Sequence, residues 1–310
     1  MDPKVLKNLR KMARYPQKAD TSNSRKLQYS DIYIIAHHDC KSEIEAISKE
    51  IHFIDENKDF PDLNYDVIYN LMQKFHLNPK STGWFFQQFL KLSFCEICPK
   101  GIYMTFDVDS LLIRDLVIDR VFFNVLRGKV SRHNAYIATN QAILGMSNFY
   151  RMEFVSEFMI FQTEIVKELI ALMAQNHQSY FENILAVMGR DPKTFSFSEF
   201  ETYANYCLIN KKGGYFLKSM DINKYGKRFF DSIPALDSNE ISDFAKYCYI
   251  LEFNHWCKIS KYSKIMQNKF LRKVFGVKNL VRVYYKTGMC DRDRQRELKQ
   301  ARLKPSGERS

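Results

Sequence analysis

The chain has 310 residues, of which 45% are apolar and 26% charged, with a formal net charge of +12. That size and mix fit one large or two modest globular domains with a sizeable core, for which disulfide or metal staples are not needed. No run nears the ~18 consecutive apolar residues of a membrane span. The basic N-terminus (MDPKVLKNLRKMAR) has no apolar signal stretch, so the seven scattered cysteines predict reduced thiols in a cytoplasmic protein.

Residues 1–30 are polar and basic, with loop chemistry at Thr21–Ser24. The apolar run Ile32–Ala36 predicts a first strand, ending at His37-His38-Asp39. A helical pattern follows from Ser42 to Lys49, and a second strand, Ile51–Ile54, ends at Asp55. Strand, helix and strand at this spacing predict an α/β sheet with buried parallel strands. Helices are predicted over 66–75 and 83–92. The apolar strand Ile102–Phe106 then runs into Asp107-Val108-Asp109. Helical periodicity returns over 164–174, 180–188, 199–209 and 240–257. The expected organisation is a polar segment (1–30), one α/β domain with a mostly parallel central sheet (31–257), and a helical basic extension (258–310) whose last ~20 residues have the composition of disorder.

The charge is unevenly placed. Residues 1–257 carry 31 Lys and Arg against 31 Asp and Glu, whereas residues 258–310 carry 16 against 4. A nucleic-acid-binding domain basic throughout would not look like this, so no nucleic-acid partner is expected. Phe270, Leu271, Val274, Phe275 and Val277 alternate with Lys269, Arg272, Lys273 and Lys278, and Leu280–Tyr285 continue the pattern. Such a helix suits an anionic membrane surface, or packs on its own domain and leaves a solvated basic face.

With 11 glycines there is neither GxGxxG nor GxxxxGK[ST], so no glycine loop is available to cradle a diphosphate. Asp107 and Asp109 sit at the carboxyl end of an apolar strand, where α/β sheets bind ligands. In an extended segment both carboxylates face one way and suit a hard dication, Mg²⁺ or Mn²⁺. Aspartates at strand ends also cap turns. The stretch FDVDSLL resembles, too, the first motif of haloacid-dehalogenase-like phosphatases, with Asp107 as nucleophile, but the downstream acidic motifs of that family are absent. In TGWFFQQFLKL, Trp84, Gln87, Gln88 and Lys91 share one helical face. That face can stack a ring, hydrogen-bond a sugar and neutralise a phosphate, or simply border a core. Ser198 is expected to cap the following helix with Glu201 closing the capping box, which leaves Glu199 freer for chemistry. Cys95 and Cys98 form a single CxxC without a second pair for zinc, and are expected to be structural thiols.

Together, TGWFFQQFLKL, TFDVDSLLIRDL, SEFMIF and FSEFETYANY, in this order, resemble a bacterial glycosyltransferase family of the GT-A fold associated with surface polysaccharides, including lipopolysaccharide and capsule. The resemblance spans Asp31 to about Tyr206. It departs at Ser110, where many relatives have Thr, and at Phe158-Met159, where His-Met is frequent. It implies a GT-A-like Rossmann-type domain. It implies a nucleotide-sugar donor, a UDP-sugar favoured, bound through Mn²⁺ or Mg²⁺ at Asp107 and Asp109, with Val108 between them and His255 as candidate third ligand. Ala36, His37, His38, Asp39 and Asp55 would border the nucleoside, and Trp84, Gln87, Gln88 and Lys91 the donor. Glu157, Glu199 and Glu201 would lie toward the acceptor, with Glu199 as the base of an inverting reaction. The expected protein is a glycosyltransferase acting on a lipid-linked, lipopolysaccharide-type or capsular glycan, cytoplasmic and peripheral on the inner membrane. The alternative is a non-catalytic nucleotide- or carbohydrate-binding protein on the same fold.

Overall fold

The computed structural model describes residues 31–287 apart from 48, 50, 115, 117, 119, 126–132, 147–149, 151, 176–178, 221, 224–225, 231, 234–235 and 255–256. The chain opens with β1 (Ile32–Ala36), α1 (Lys41–Glu45), β2 (Ile51–Asp55), α2 (Tyr65–Lys74) and α3 (Thr82–Ser93). Then come β3 (Ile102–Phe106), β4 (Ser110–Leu112), β5 (Phe122–Asn124), α4 (His133–Leu144), β6 (Phe158–Gln162), α5 (Thr163–Ala174), α6 (Tyr180–Arg190) and α7 (Glu199–Ile209). It closes with β7 (Phe216–Lys218), β8 (Ile222–Asn223), α8 (Gly226–Phe230), α9 (Ser238–Ala245), β9 (Ile250–Glu252), α10 (Ser263–Gln267), α11 (Lys269–Phe275) and α12 (Val277–Lys286).

The fold is mixed α/β. Its strands form small pieces whose pairing is of both kinds. β1–β2, β5–β7 and β8–β9 are parallel, while β3–β6 and β4–β9 are antiparallel. The apolar run of β3 does not mark a strand covered on both faces. Tyr103 is buried, but Ile102 and Met104 are 51% and 42% exposed. One open face is what an antiparallel pair tolerates and a doubly covered parallel strand does not.

The described chain divides into two compact units. One holds the residues up to Phe106 and Val117–Met220; the other holds Asp107–Leu116 and the chain from Asp221 on. The core of the first unit is strongly aromatic, with Phe89, Phe123, Phe154, Phe161, Phe200 and Tyr203 all 2% exposed or less. At its centre lies α7, buried from Glu199 to Cys207. A helix buried all round must satisfy its polar side chains internally, and those of α7 do so on neighbouring segments.

In the second unit, β9 lies between β4 and β8. Leu111, Phe229, Phe244, Leu251, Met266 and Tyr284 form the core. The helix expected over 240–257 stops at Ala245, because Ile250-Leu251-Glu252 is a fully buried middle strand. A short apolar run of this kind has no periodicity to separate strand from helix. α10–α12 pack on the same unit, with Met266, Val277, Val281 and Tyr284 in its core. Arg272 anchors them. Its side chain is 1% exposed, with Nε 3.1 Å from Asp243 Oδ2 and Nη1 3.5 Å from Glu240 Oε1. Nη1 also donates to the carbonyls of Met266 (3.0 Å) and Gln267 (2.6 Å). The expectations for residues 1–30, for His255 and for the last ~20 residues lie outside the described residues.

Candidate metal-binding site

Phe106, the last residue of β3, pairs with Phe158, the first of β6. Asp107 and Glu157 are the next residues along each strand, so the antiparallel register alone carries them to the same end of this ladder. The chain does not stay extended beyond Phe106, as the reading of Asp107 and Asp109 assumed. It turns: Ser110 N–H donates to the Asp107 carbonyl at 3.0 Å, and β4 starts at once. Phe253 N–H pins the Asp109 carbonyl at 2.7 Å. One carboxylate oxygen each from Asp107, Asp109 and Glu157 lie within 4.8 Å of one another. The aspartates are half-buried, Glu157 is buried, and Val108 is 42% exposed at the tip of the turn. Three converging anionic oxygens repel one another, and a hard divalent cation removes that repulsion. The donor set therefore fits Mg²⁺ or Mn²⁺. Glu157 supplies the third carboxylate; His255, the expected third ligand, lies outside the described residues.

The segment leading to Glu157 is held by the side chains of α7. Phe154 N–H donates to Glu201 Oε1 at 2.7 Å, and Tyr150 N–H to Asn205 Oδ1 at 3.0 Å. Ser156 Oγ accepts from Asn124 Nδ2 at 2.8 Å, and Asn124 Oδ1 accepts from Met220 N–H at 3.0 Å. Past the strand, Gln162 N–H donates to Tyr203 Oη at 2.9 Å. Ser198 caps α7 as expected, accepting from Glu201 N–H at 3.3 Å. The Glu201 carboxylate holds the 154–155 backbone. Burial pushes its pKa up to about 7, against the lowering effect of the Phe154 amide. Glu201 is thus a positioning residue for the approach to Glu157.

The predicted face of α3 is divided by packing. Trp84 and Gln87 are exposed, whereas Gln88 is buried and Lys91 largely so. Glu199 N–H donates to Gln88 Oε1 at 3.1 Å, and Lys91 Nζ donates to Glu199 Oε1 at 3.0 Å. The ammonium also lies 4.5 Å from the centre of the Phe200 ring. Two of the sequence blocks therefore meet each other: α3 is fastened to the start of α7 by Gln88, Lys91 and Glu199. Glu199, expected to serve as a base, is 4% exposed in this contact.

A pocket of about 540 Å³ opens among residues that follow β1 and β2, within the ~300–1,000 Å³ span of small-molecule sites. His37, Glu56, Asn57 and Lys58 line it, with Asn64, Tyr65 and Asp66 from the start of α2. Of the residues expected here, His37 lines the pocket. Ala36, His38, Asp39 and Asp55 are not among its lining; Asp55 is buried and accepts from Asn57 N–H at 3.0 Å, and Glu56 N–H donates to the buried Ala36 carbonyl at 3.1 Å. Burial raises the Glu56 pKa, against the lowering effect of His37. His38 and Asp39 are exposed and paired at 3.0 Å. The residues at the start of α2 were not among those expected at this site. Their signal was Asn64 before a periodic helix, where it caps by accepting from Val67 N–H at 2.9 Å.

A family model described as a family of unknown function, DUF6492, matches residues 24–247. The chain belongs to this family. The DUF6492 match includes Asp107, Asp109, Glu157, Glu199 and Glu201 and stops before α10–α12. Neither a curated protein nor a solved structure matches the chain. Among the described residues no helix is long and apolar enough to cross a membrane.

Proposed function

We propose that this protein is a metal-dependent glycosyltransferase that moves a sugar from a nucleotide-diphosphate sugar to a glycan or glycolipid acceptor on a GT-A-like fold. The observation that carries this reading is the convergence of Asp107, Asp109 and Glu157 at the end of β3. Bound there, Mg²⁺ or Mn²⁺ would act as a Lewis acid toward the departing diphosphate. In transfer, the acceptor oxygen bonds to the anomeric carbon, the bond from that carbon to the diphosphate breaks, and the acceptor proton passes to a base. Asp107 and Asp109 would hold the metal, and Glu157 would complete the carboxylate set. Tyr65 and Asn57, beyond the parallel pair β1–β2, offer a ring and an amide to a nucleoside, which supports a nucleotide ligand. The lack of any phosphate-binding glycine loop fits a protein that neutralises diphosphate through a metal.

The test is titration calorimetry of the full chain with UDP, GDP and CMP, with and without Mn²⁺, together with a hydrolysis screen of nucleotide sugars. Nucleotide binding should require the metal. Asp107→Asn, Asp109→Asn and Glu157→Gln should each weaken Mn²⁺ by ~10-fold or more. Wild-type metal affinity in all three variants refutes the site. Metal-dependent binding without hydrolysis or transfer points instead to the binding protein, and turnover of a simple phosphate ester to the phosphatase.

A further inference from the structure

The stripe of α12 that the sequence offers to a membrane is already used, since Val277, Val281 and Tyr284 are buried in the core of their unit. Beside Val283 of α12, 54% exposed, a larger apolar surface is left open one helix earlier. On α11, Phe270 is 70% exposed, Val274 56% and Phe275 54%. Phe270 and Val274 are one helical turn apart, and exposed Lys269 and Lys273 repeat the same spacing beside them. The helix cannot turn these residues inward. Arg272, on its other side, is locked to Asp243, Glu240 and two backbone carbonyls.

Along the sequence, the segment that carries this face has charge of one sign, and Asp243 and Glu240 of α9 meet the helix at Arg272 on its other side. From Phe253 to Cys290 the sequence contains no Asp or Glu. With Arg272 buried and paired, eight lysines and arginines between Lys258 and Lys286 remain exposed. An isolated exposed phenylalanine needs no explanation. A phenylalanine at 70% exposure, with valine one turn on and a second aromatic at the helix end, in a segment devoid of acids, is the surface of an interfacial helix.

We infer that α11 docks on an anionic bilayer surface, with Phe270, Val274 and Phe275 entering the headgroup boundary and Lys269, Lys273 and Lys278 facing the lipid phosphates. This inference is independent of the transferase reading. The aliphatic Val274 between the aromatics favours lipid over stacked nucleic-acid bases, which need flat rings.

The experiment is sedimentation of the full chain with vesicles of phosphatidylcholine alone or with about 30% phosphatidylglycerol. Anionic vesicles should bind at least ~10-fold tighter than neutral ones, and more weakly as salt rises. Phe270→Ser/Val274→Ser and Lys269→Glu/Lys273→Glu should each reduce that binding ~10-fold, with far-UV circular dichroism unchanged. If a double variant does not fold, Phe270→Ser alone and Lys269→Gln/Lys273→Gln replace it. Equal binding to both vesicles, variants that bind like wild type, or displacement of the vesicles by polyuridylate overturns the inference.

Discussion

Lys91→Met tests whether α3 and α7 are fastened by charge. The Lys91 and Glu199 side chains are 13% and 6% exposed with 3.0 Å between Nζ and Oε1. At an effective dielectric of ~20 the attraction at this distance is about 5 kcal/mol before desolvation is counted. Removing one member of a buried pair typically costs ~3–5 kcal/mol, because the remaining charge loses an opposite charge at close range in a place water hardly reaches. The variant should therefore lose about 3 kcal/mol of unfolding free energy at pH 7.5. It should lose less at pH 5, because a carboxylate stripped of its ammonium takes up a proton more readily. Burial then favours the neutral carboxyl over the charged one, so the damage grows as pH rises. Lys91→Met/Glu199→Gln should recover more than half of the loss. Urea unfolding followed by far-UV circular dichroism at both pH values is the assay. A loss under ~1 kcal/mol, as for a surface pair, or one equal at both pH values, would refute the reasoning.

Glu201→Gln keeps an oxygen acceptor for the Phe154 amide and removes the buried charge. Because burial holds the folded carboxyl at about 7, well above its unfolded value of ~4.5, wild-type stability should be fully present below ~4.5 and decline as pH rises toward 7. The variant's profile should be flatter, with a relative gain on the order of 1–3 kcal/mol at pH 8; parallel profiles would contradict the assignment. Arg272→Leu leaves Asp243, Glu240 and the carbonyls of Met266 and Gln267 without their shared donor. It should destabilise the second unit by ~3–5 kcal/mol and speed amide exchange through α10–α12, whereas unchanged exchange there would show that the anchor is dispensable.

The elements that sequence foretold are those whose period is strong and whose ends carry local signals. β1 and β3 start and stop where their apolar runs do, and α7 starts at the residue after Ser198. What pattern could not supply was partners. β3 looks the same in sequence whether its neighbour runs parallel or antiparallel, and only the register Phe106↔Phe158 brings Glu157 beside the aspartates. Glu199 and Glu201 invited a chemical reading because acids in a polar block resemble reactive groups. Their burial became visible only once α7 was surrounded, with every residue from Glu199 to Cys207 buried whether polar or apolar. The pocket escaped because three of its seven lining residues come from a helix start, a feature that usually signals capping alone.

The placement of β9 bears on how this family is handled at the bench. The family match ends at Tyr247, three residues short of Ile250, while β4 and β8 both depend on β9 for their ladder hydrogen bonds. A recombinant fragment trimmed to the matched region would leave two strands with open edges and remove Leu251 from the core they share with Phe244. Such a fragment invites aggregation, and an inactive preparation of it would say nothing about catalysis.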